Sequence, residues 1–216
     1  MSNSVSLDAT FAAGLKPQVA IKAALVIWLG AVVVLGAAGV FAGPPGMPPL
    51  PIFAGAVVPL ILFGLAWRTS KAFREFLLAI DVRVIVAVQA WRYAGFGFIA
   101  LYASHVLPGL FAWPAGLGDM AIGITAPFWI ARLTQNPDAI ATRGFRLWNG
   151  LGILDFVIAF TTATVSSMLL VTDVLPSMAP VPRLPLVLIP AFMVPLFAML
   201  HVVALMQSRQ AMAAGR

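Results

Sequence analysis

The sequence predicts an all-α fold, a polytopic transmembrane bundle of six helices, and three observations support this. Hydrophobic residues make up 62% of the 216 residues and charged residues only 9%, whereas soluble domains carry about 25% charged residues. The mean hydropathy is +1.01. The apolar residues fall into six runs, each close to the roughly 20 residues that a helix needs to cross a bilayer. The composition therefore excludes a water-soluble domain and favours one multi-pass membrane domain.

The six predicted spans are joined by two kinds of short connection, three rich in proline and two basic. Residues 1–22 are expected to form a loose cytoplasmic leader, favoured over a short helix on the membrane surface. Residues 23–208 form the single six-helix domain, and residues 209–216 form a cytoplasmic tail. The predicted spans are residues 23–42, 52–67, 84–106, 116–133, 147–170 and 185–207.

The distribution of Lys and Arg predicts the orientation of the bundle. When the connections are assigned alternately to the two sides of the membrane, eleven basic residues fall on one side and only Arg183 on the other. Short cytoplasmic connections carry such an excess of Lys and Arg, so both termini are predicted to be cytoplasmic. The eleven residues are Lys16, Lys22, Arg68, Lys71, Arg74, Arg83, Arg132, Arg143, Arg146, Arg209 and Arg216.

Two opposite charges inside predicted spans define the main candidate site. Arg92 lies nine residues after Arg83, and Asp155 lies nine residues after Arg146. Both therefore lie about 13 Å from the cytoplasmic face at a rise of 1.5 Å per residue. A lone arginine at the centre of a span costs about 2.5 to 3.5 kcal/mol, and such residues normally face the bundle interior and pair. The sequence therefore predicts an Arg92–Asp155 pair between the third and fifth spans.

Other polar residues are predicted to line this site. Gln89 lies one turn from Arg92, His201 falls at a similar depth in the sixth span, and Asn149 lies nearer the cytoplasmic surface. Gly152 would let neighbouring helices approach closely. Two interpretations remain open, a solute-binding site and a buried pair that only locks two helices together. The fifth span presents a small, polar face at helical spacing, formed by Asp155, Ala159, Thr162 and Ser166.

A second, weaker cluster is predicted near the opposite side of the membrane. His105 lies near the outward end of the third span, and Asp119 lies near the start of the fourth. One His and one carboxylate are a poor set of metal ligands, so a hydrogen-bonded pair at the interface is favoured. Asp119 is also placed to cap the fourth helix, where its charge suits the helix dipole.

The residue types present exclude several kinds of chemistry. The chain has no Cys, which rules out disulfides, thiolate metal sites and c-type haem attachment. His105 and His201 are predicted in opposite halves of the bilayer, so bis-histidine haem is not expected, and no metal or other cofactor is predicted. Hydrolase, metalloprotease and phosphate-binding motifs are missing from the sequence. The basic residues lack the stripe with interleaved aromatics that is typical of nucleic-acid binding. Enzymatic activity is accordingly not favoured.

Several motifs in the second part of the chain carry a resemblance. They are Gln89-x-x-Arg92, a Pro-Ala-Gly-x-Gly-Asp segment ending at Asp119, Ala126-Pro127, Trp148-Asn149 followed by Asp155, and a proline-rich last span with His201. Between residues 89 and 207 the chain resembles a family of uncharacterised bacterial multi-pass membrane proteins. The resemblance implies a bacterial inner-membrane location and implies no activity. It places six residues in one pattern: Gln89, Arg92, Asp119, Asn149, Asp155 and His201.

The leading functional hypothesis is a protein that binds or transports a small solute. Arg92 would hold an anionic group or act as a counter-ion, and Asp155 would be its partner or a proton acceptor. Hydrogen bonds to the solute would come from Gln89, Asn149 and His201. The partners expected are the lipid bilayer, a small-molecule ligand, and either a membrane-protein partner or a second copy of the chain; nucleic acid is not among them.

Proline inside the spans is part of the same hypothesis. Pro127, Pro190 and Pro195 would free backbone carbonyls towards a cavity, as broken helices do in transporters. The alternative is a non-catalytic structural or assembly subunit of a larger membrane complex. That alternative predicts a packed bundle with no cavity at Arg92. A third hypothesis, an intramembrane enzyme or cofactor holder, lacks a visible pair of nucleophile and base.

Overall fold

The fold is all-α, as predicted. The computed structural model describes residues 3–44, 46–169 and 176–214, and every regular element within those ranges is helical. A 3-10 segment, Ala90–Gly95, joins the fourth helix directly to the fifth, and a π-helical turn, Ile189–Met193, leads into the last. The helices are α1 (Asn3–Ala37), α2 (Leu50–Thr69), α3 (Lys71–Ala79), α4 (Val82–Gln89), α5 (Phe96–Ala103), α6 (Gly109–Gln135), α7 (Arg143–Leu169) and α8 (Val194–Ala214).

Five helical stretches in the described ranges are long and apolar enough to cross a membrane. The helix α6, with 27 residues, also has the length, but Asp119, four glycines and two prolines make it less apolar. It packs against the 3-10 segment and against α4, α5 and α7. The five stretches are Gln18–Ala37, Leu50–Thr69, Val82–Ala103, Arg143–Leu169 and Ile189–Ala214.

Helix boundaries depart from the prediction in two places. The helix α1 already begins at Asn3, so residues 3–22 of the leader, which was expected to be loose, are helical. The helix α6 begins at Gly109, seven residues before the predicted start, because Pro108 serves as its N-cap with extended dihedral angles (φ −70°, ψ 141°). The N–H groups of a first turn have no partner within the helix, so a proline there does not prevent helix formation.

Large apolar side chains cover the outside of the bundle. Ile27, Ile61, Trp91 and Val157 are all more than half exposed, although a soluble protein rarely exposes contiguous apolar surface on this scale. In a bilayer these side chains would face lipid tails. The exposed apolar surface is thus consistent with the membrane location that the composition predicts.

Two apolar clusters fill the inside, and a polar layer separates them. One cluster includes Phe98 and Ala115, and the other includes Val86 and Ile122. Arg92 lies between Val86 and Phe98 along the chain, and Asp119 lies between Ala115 and Ile122 in α6. The apolar clusters therefore enclose the polar residues from both sides.

The end of α8 is tied to the two basic connections. Gln207 donates to the carbonyls of Leu77, Leu78 and Ile80 at 2.8 to 3.3 Å, and these carbonyls form the C-terminal end of α3. Ser208 donates to the carbonyl of Ile140 at 2.6 Å. Side chains from α8 thus satisfy backbone acceptors that the ends of short helices leave free.

Candidate functional site

The 3-10 segment places Arg92 at the centre of the bundle. Its backbone lies directly against α6, where a Cβ on Gly123 would collide with the backbone of Arg92 and Tyr93. Tightened 3-10 turns inside long helices often mark functional or strained positions. The guanidinium is fully enclosed, since 0% of the Arg92 side chain is exposed.

Arg92 is bound by two carboxylates rather than one. Its Nε donates to Asp119 Oδ1 at 2.7 Å, and its Nη2 donates to Asp155 Oδ2 at 2.5 Å. Its Nη1 donates to the carbonyl of Gly152 at 3.2 Å. The guanidinium also stacks on Phe156, with Cζ 4.1 Å from the ring centre. Charge-assisted hydrogen bonds of this kind are the strong ones in a protein interior. The predicted Arg92–Asp155 contact is therefore present, as one half of a triad formed by Arg92, Asp119 and Asp155.

His201 extends the network from α8 to α7. Its Nε2 lies 2.9 Å from Arg92 Nη1, and its Nδ1 lies 2.9 Å from Asn149 Oδ1. A guanidinium nitrogen can only donate, so His201 Nε2 accepts and Nδ1 carries the proton that it donates to Asn149. The Asn149 amide nitrogen donates to the carbonyl of Phe145 at 2.8 Å, which fixes its orientation. The imidazole is therefore held in its neutral Nδ1–H form.

Glycines provide the space for these polar side chains. A Cβ on Gly118 would overlap the Asp155 carboxylate, and one on Gly152 would overlap His201 Nε2. A Cβ on Gly95 would overlap Asp119. Small residues let membrane helices approach closely, and here each glycine faces one member of the network across a helix contact.

Two other predicted residues are buried but lie outside the triad. Gln89 is fully buried and donates to the carbonyl of Phe197 at 3.1 Å, which joins α4 to α8. Its Oε1 has no hydrogen-bond partner in the described part of the chain. Ser166, at the end of the predicted polar face of α7, is also fully buried, and its Oγ has no partner among the same residues.

The predicted pairing of His105 with Asp119 is wrong. His105 is exposed in the turn after α5, where its φ of 57° is in the left-handed region. Asp119 lies ten residues into α6, about 15 Å from the start of that helix, and its carboxylate binds Arg92. It is therefore not the cap of α6. The error follows from the predicted helix start, which placed Asp119 at the membrane surface.

A cavity of about 180 Å³ opens on the side of the proline-rich loops and reaches down to Asp119. The Asp119 side chain is 15% exposed, compared with 9% for Asp155, and it is the only ionisable side chain that lines the cavity among the described residues. Ser167 and the buried Ser177 add hydroxyl groups. The walls are otherwise mainly apolar. Five phenylalanines belong to them: Phe41, Phe98, Phe111, Phe156 and Phe160.

Comparison with known proteins decides the family. The model of a domain of unknown function, DUF8737, matches residues 49–209. The chain belongs to the DUF8737 family. The matched range starts at the residue before α2 and ends within α8, so the DUF8737 domain contains the whole triad and most of the cavity wall. Neither the curated proteins nor the solved structures gave a match.

Membership of DUF8737 agrees with the resemblance to an uncharacterised family. It carries no activity over to this chain, so the residues themselves must support any function. Phe156 and Gly118 belong to the DUF8737 site but were not predicted from the sequence. A helical spacing of Gly116, Asp119 and Gly123 was the available signal, because i, i+3 and i+7 positions share one face. The predicted span 116–133 kept these three positions in one helix but placed Asp119 near the membrane surface, so its contact with Arg92 was not predicted.

Proposed function

We propose that this chain is an integral membrane protein that binds a small solute in the cavity above Arg92 and moves it across the bilayer. The observation that carries the proposal is the continuity of the cavity with the buried triad through Asp119. Ligand sites are typically apolar pockets with a few convergent polar groups. Ionisable residues inside a membrane domain commonly mark solute pathways.

In this proposal Arg92 is the counter-ion and not the solute contact. Its donors are directed at Asp119, Asp155, Gly152 and His201, and its side chain is closed off from the cavity. The solute instead meets Asp119. Arg92 orients that carboxylate through the bond from its Nε, which is the preorganisation that a binding site needs.

The backbone next to the cavity supports transport. Ile189 and Pro190, both in the π-helical turn before α8, line the cavity wall. π-helical turns occur frequently at functional sites, and irregular backbone at membrane depth is tolerated where it lines a cavity. This turn is the place where α8 would bend when the cavity changes its access.

The alternative is a structural or assembly subunit. Its supporting observation is that the triad joins three helices and that every guanidinium nitrogen of Arg92 donates a hydrogen bond, as in a purely structural lock. Arg92 itself is closed off from the cavity, as this alternative predicts, but a lock alone does not require a cavity that reaches the partly exposed carboxylate of Asp119. The cavity therefore favours solute binding over a scaffold.

Filling the cavity should abolish solute retention. Ala163 lines the cavity and is half-buried, whereas Ala54 in α2 is exposed and lies outside the cavity. After mild detergent extraction, native mass spectrometry is expected to show an added mass on the wild type and on Ala54→Phe, and no added mass on Ala163→Phe. The same added mass on all three proteins, or bare protein in all three, would rule out a solute in this cavity.

We also propose a topology of six membrane crossings, α6 included, with both termini cytoplasmic. Support comes from the eleven basic residues on one side and from the length of α6. Green fluorescent protein fused after residue 216 should fluoresce, and alkaline phosphatase fused within residues 43–49 should be active. Active phosphatase at the C-terminus would contradict this orientation.

A further inference from the structure

The triad and its surroundings are short of one positive charge. Arg92 carries the single positive charge, Asp119 and Asp155 carry two negative charges when both are ionised, and His201 is held neutral by its hydrogen bonds. Among the described residues, no Lys or Arg lines the cavity. A buried charge without a partner of opposite sign destabilises the folded protein. We therefore expect a further cation, or a proton on one of the two carboxylates, to bind next to Asp119 and Asp155.

The free side of Asp119 indicates where that cation would bind. Oδ1 accepts from Arg92 Nε, and the carboxylate forms part of the cavity floor. The second carboxylate oxygen, Oδ2, has no hydrogen-bond partner within the described part of the chain and is not among the fully enclosed polar atoms. An acceptor is thus available to a donor that enters from the cavity.

The walls provide an independent indication of the same ligand class. Five phenylalanine rings line the cavity together with Asp119. Aromatic faces attract cations, and cages of aromatic rings recognise ammonium groups. Phe156 already stacks on the guanidinium of Arg92. An anionic solute would find no basic group among the described residues of this lining, which argues against Arg92 as an anion holder.

We infer that the ligand is a compact organic cation, an ammonium group on an apolar body, with the ammonium bound to Asp119 and the apolar part packed against the phenylalanines. This inference rests on the proposed solute-binding function and adds the ligand class. The ammonium would donate to the free oxygen of Asp119 and neutralise the triad. A proton on one carboxylate would balance the charge equally, and the experiment separates the two.

The test uses three probes that share one apolar body and differ in charge: 2-phenylethylammonium, 2-phenylethanol and 3-phenylpropanoate. Each is titrated into the full-length protein in a nonionic detergent at pH 7 by calorimetry. The ammonium probe is expected to bind at least about 10-fold more tightly than the alcohol, because a charge-assisted hydrogen bond contributes more than a neutral one. The carboxylate is expected to give no saturable heat.

The Asp119→Asn variant localises the effect. An asparagine oxygen can still accept from Arg92 Nε, while the charge towards the cavity is removed. Affinity for the ammonium probe should fall to within about threefold of the alcohol, and affinity for the alcohol should not change. Asp138→Asn, at an exposed aspartate in the connection before α7, is the matched control and should leave all three affinities as in the wild type.

Each outcome decides the inference. Equal binding of ammonium and alcohol would mean that a proton balances the triad, and tighter binding of the carboxylate would also overturn the cation assignment. Both results would leave a solute-binding cavity in place. If no probe binds, the cation assignment fails, and the mass-spectrometry comparison of Ala163→Phe with Ala54→Phe judges the solute function separately. The comparison of probes on the wild type needs no variant, so it holds even if Asp119→Asn does not fold.

Discussion

Arg92→Gln is expected to lower the free energy of unfolding by about 3 to 5 kcal/mol, because it leaves two buried carboxylates without their shared partner. Glutamine has at most two amide N–H donors against the five of arginine, and it has no positive charge. The measurement is unfolding in mixed micelles at increasing fractions of sodium dodecyl sulfate. Adding Asp155→Asn to Arg92→Gln should recover about 1 to 3 kcal/mol, since contacting residues are coupled by that order.

Arg132→Gln is the matched control for this change. Arg132 is exposed and its guanidinium lies 5.6 Å from the Trp129 ring, so its replacement should change the unfolding free energy by about 0.5 kcal/mol or less. If Arg92→Gln and Arg132→Gln proved equally stable, the triad could not be a stabilising element. If the double variant were less stable than Arg92→Gln, direct coupling between Arg92 and Asp155 would be refuted.

Gly118→Ala is expected to destabilise the protein by at least about 2 kcal/mol, because the added methyl group overlaps the Asp155 carboxylate and overpacking costs about 1 to 3 kcal/mol or more. The carboxylate cannot move away without losing Arg92. Gly152→Ala should have an effect in the same direction, since its methyl group meets His201. Both are measured by the same unfolding titration.

Gly150→Ala provides the control on the same helix as Gly152. A Cβ at Gly150 would have no atom within 4 Å, so this change should be neutral or stabilise α7 by up to about 1 kcal/mol, the difference in helix propensity between the two residues. Comparable losses for Gly118→Ala and Gly150→Ala would show that backbone flexibility, and not space for Asp155, explains the glycines.

The depth of charged residues could be predicted where a basic connection marks the start of a helix. Counting from Arg83 and Arg146 placed Arg92 and Asp155 at the same level, and the structure brings them together. The same counting failed for Asp119. Its helix begins in a segment whose prolines and glycines favour a turn, and only packing against the neighbouring helices shows that the segment is helical.

Hydrogen-bond partners on the backbone could not be predicted at all. Gln89 was expected beside Arg92, but its amide reaches the carbonyl of Phe197 in α8. That carbonyl lies four residues before His201, and nothing in the sequence distinguishes it from its neighbours. The cavity was likewise beyond sequence analysis, because its wall combines residues from the loops after α1 and before α8 with side chains of α5, α6 and α7.

The bonds from Gln207 to the end of α3 restrict where this bundle can rearrange. Sliding or rotating the C-terminal half of α8 would remove the Gln207 donor from the carbonyls of Leu78 and Ile80, and each carbonyl that loses its donor adds to the barrier. Among the described residues, the N-terminal half of α8 and the π-helical turn before it make no side-chain hydrogen bond to α3, and Gln89 of α4 binds this half only at the Phe197 carbonyl. If the bundle rearranges, the C-terminal half of α8 would therefore stay in place, and the bend would fall at the π-helical turn, Ile189–Met193.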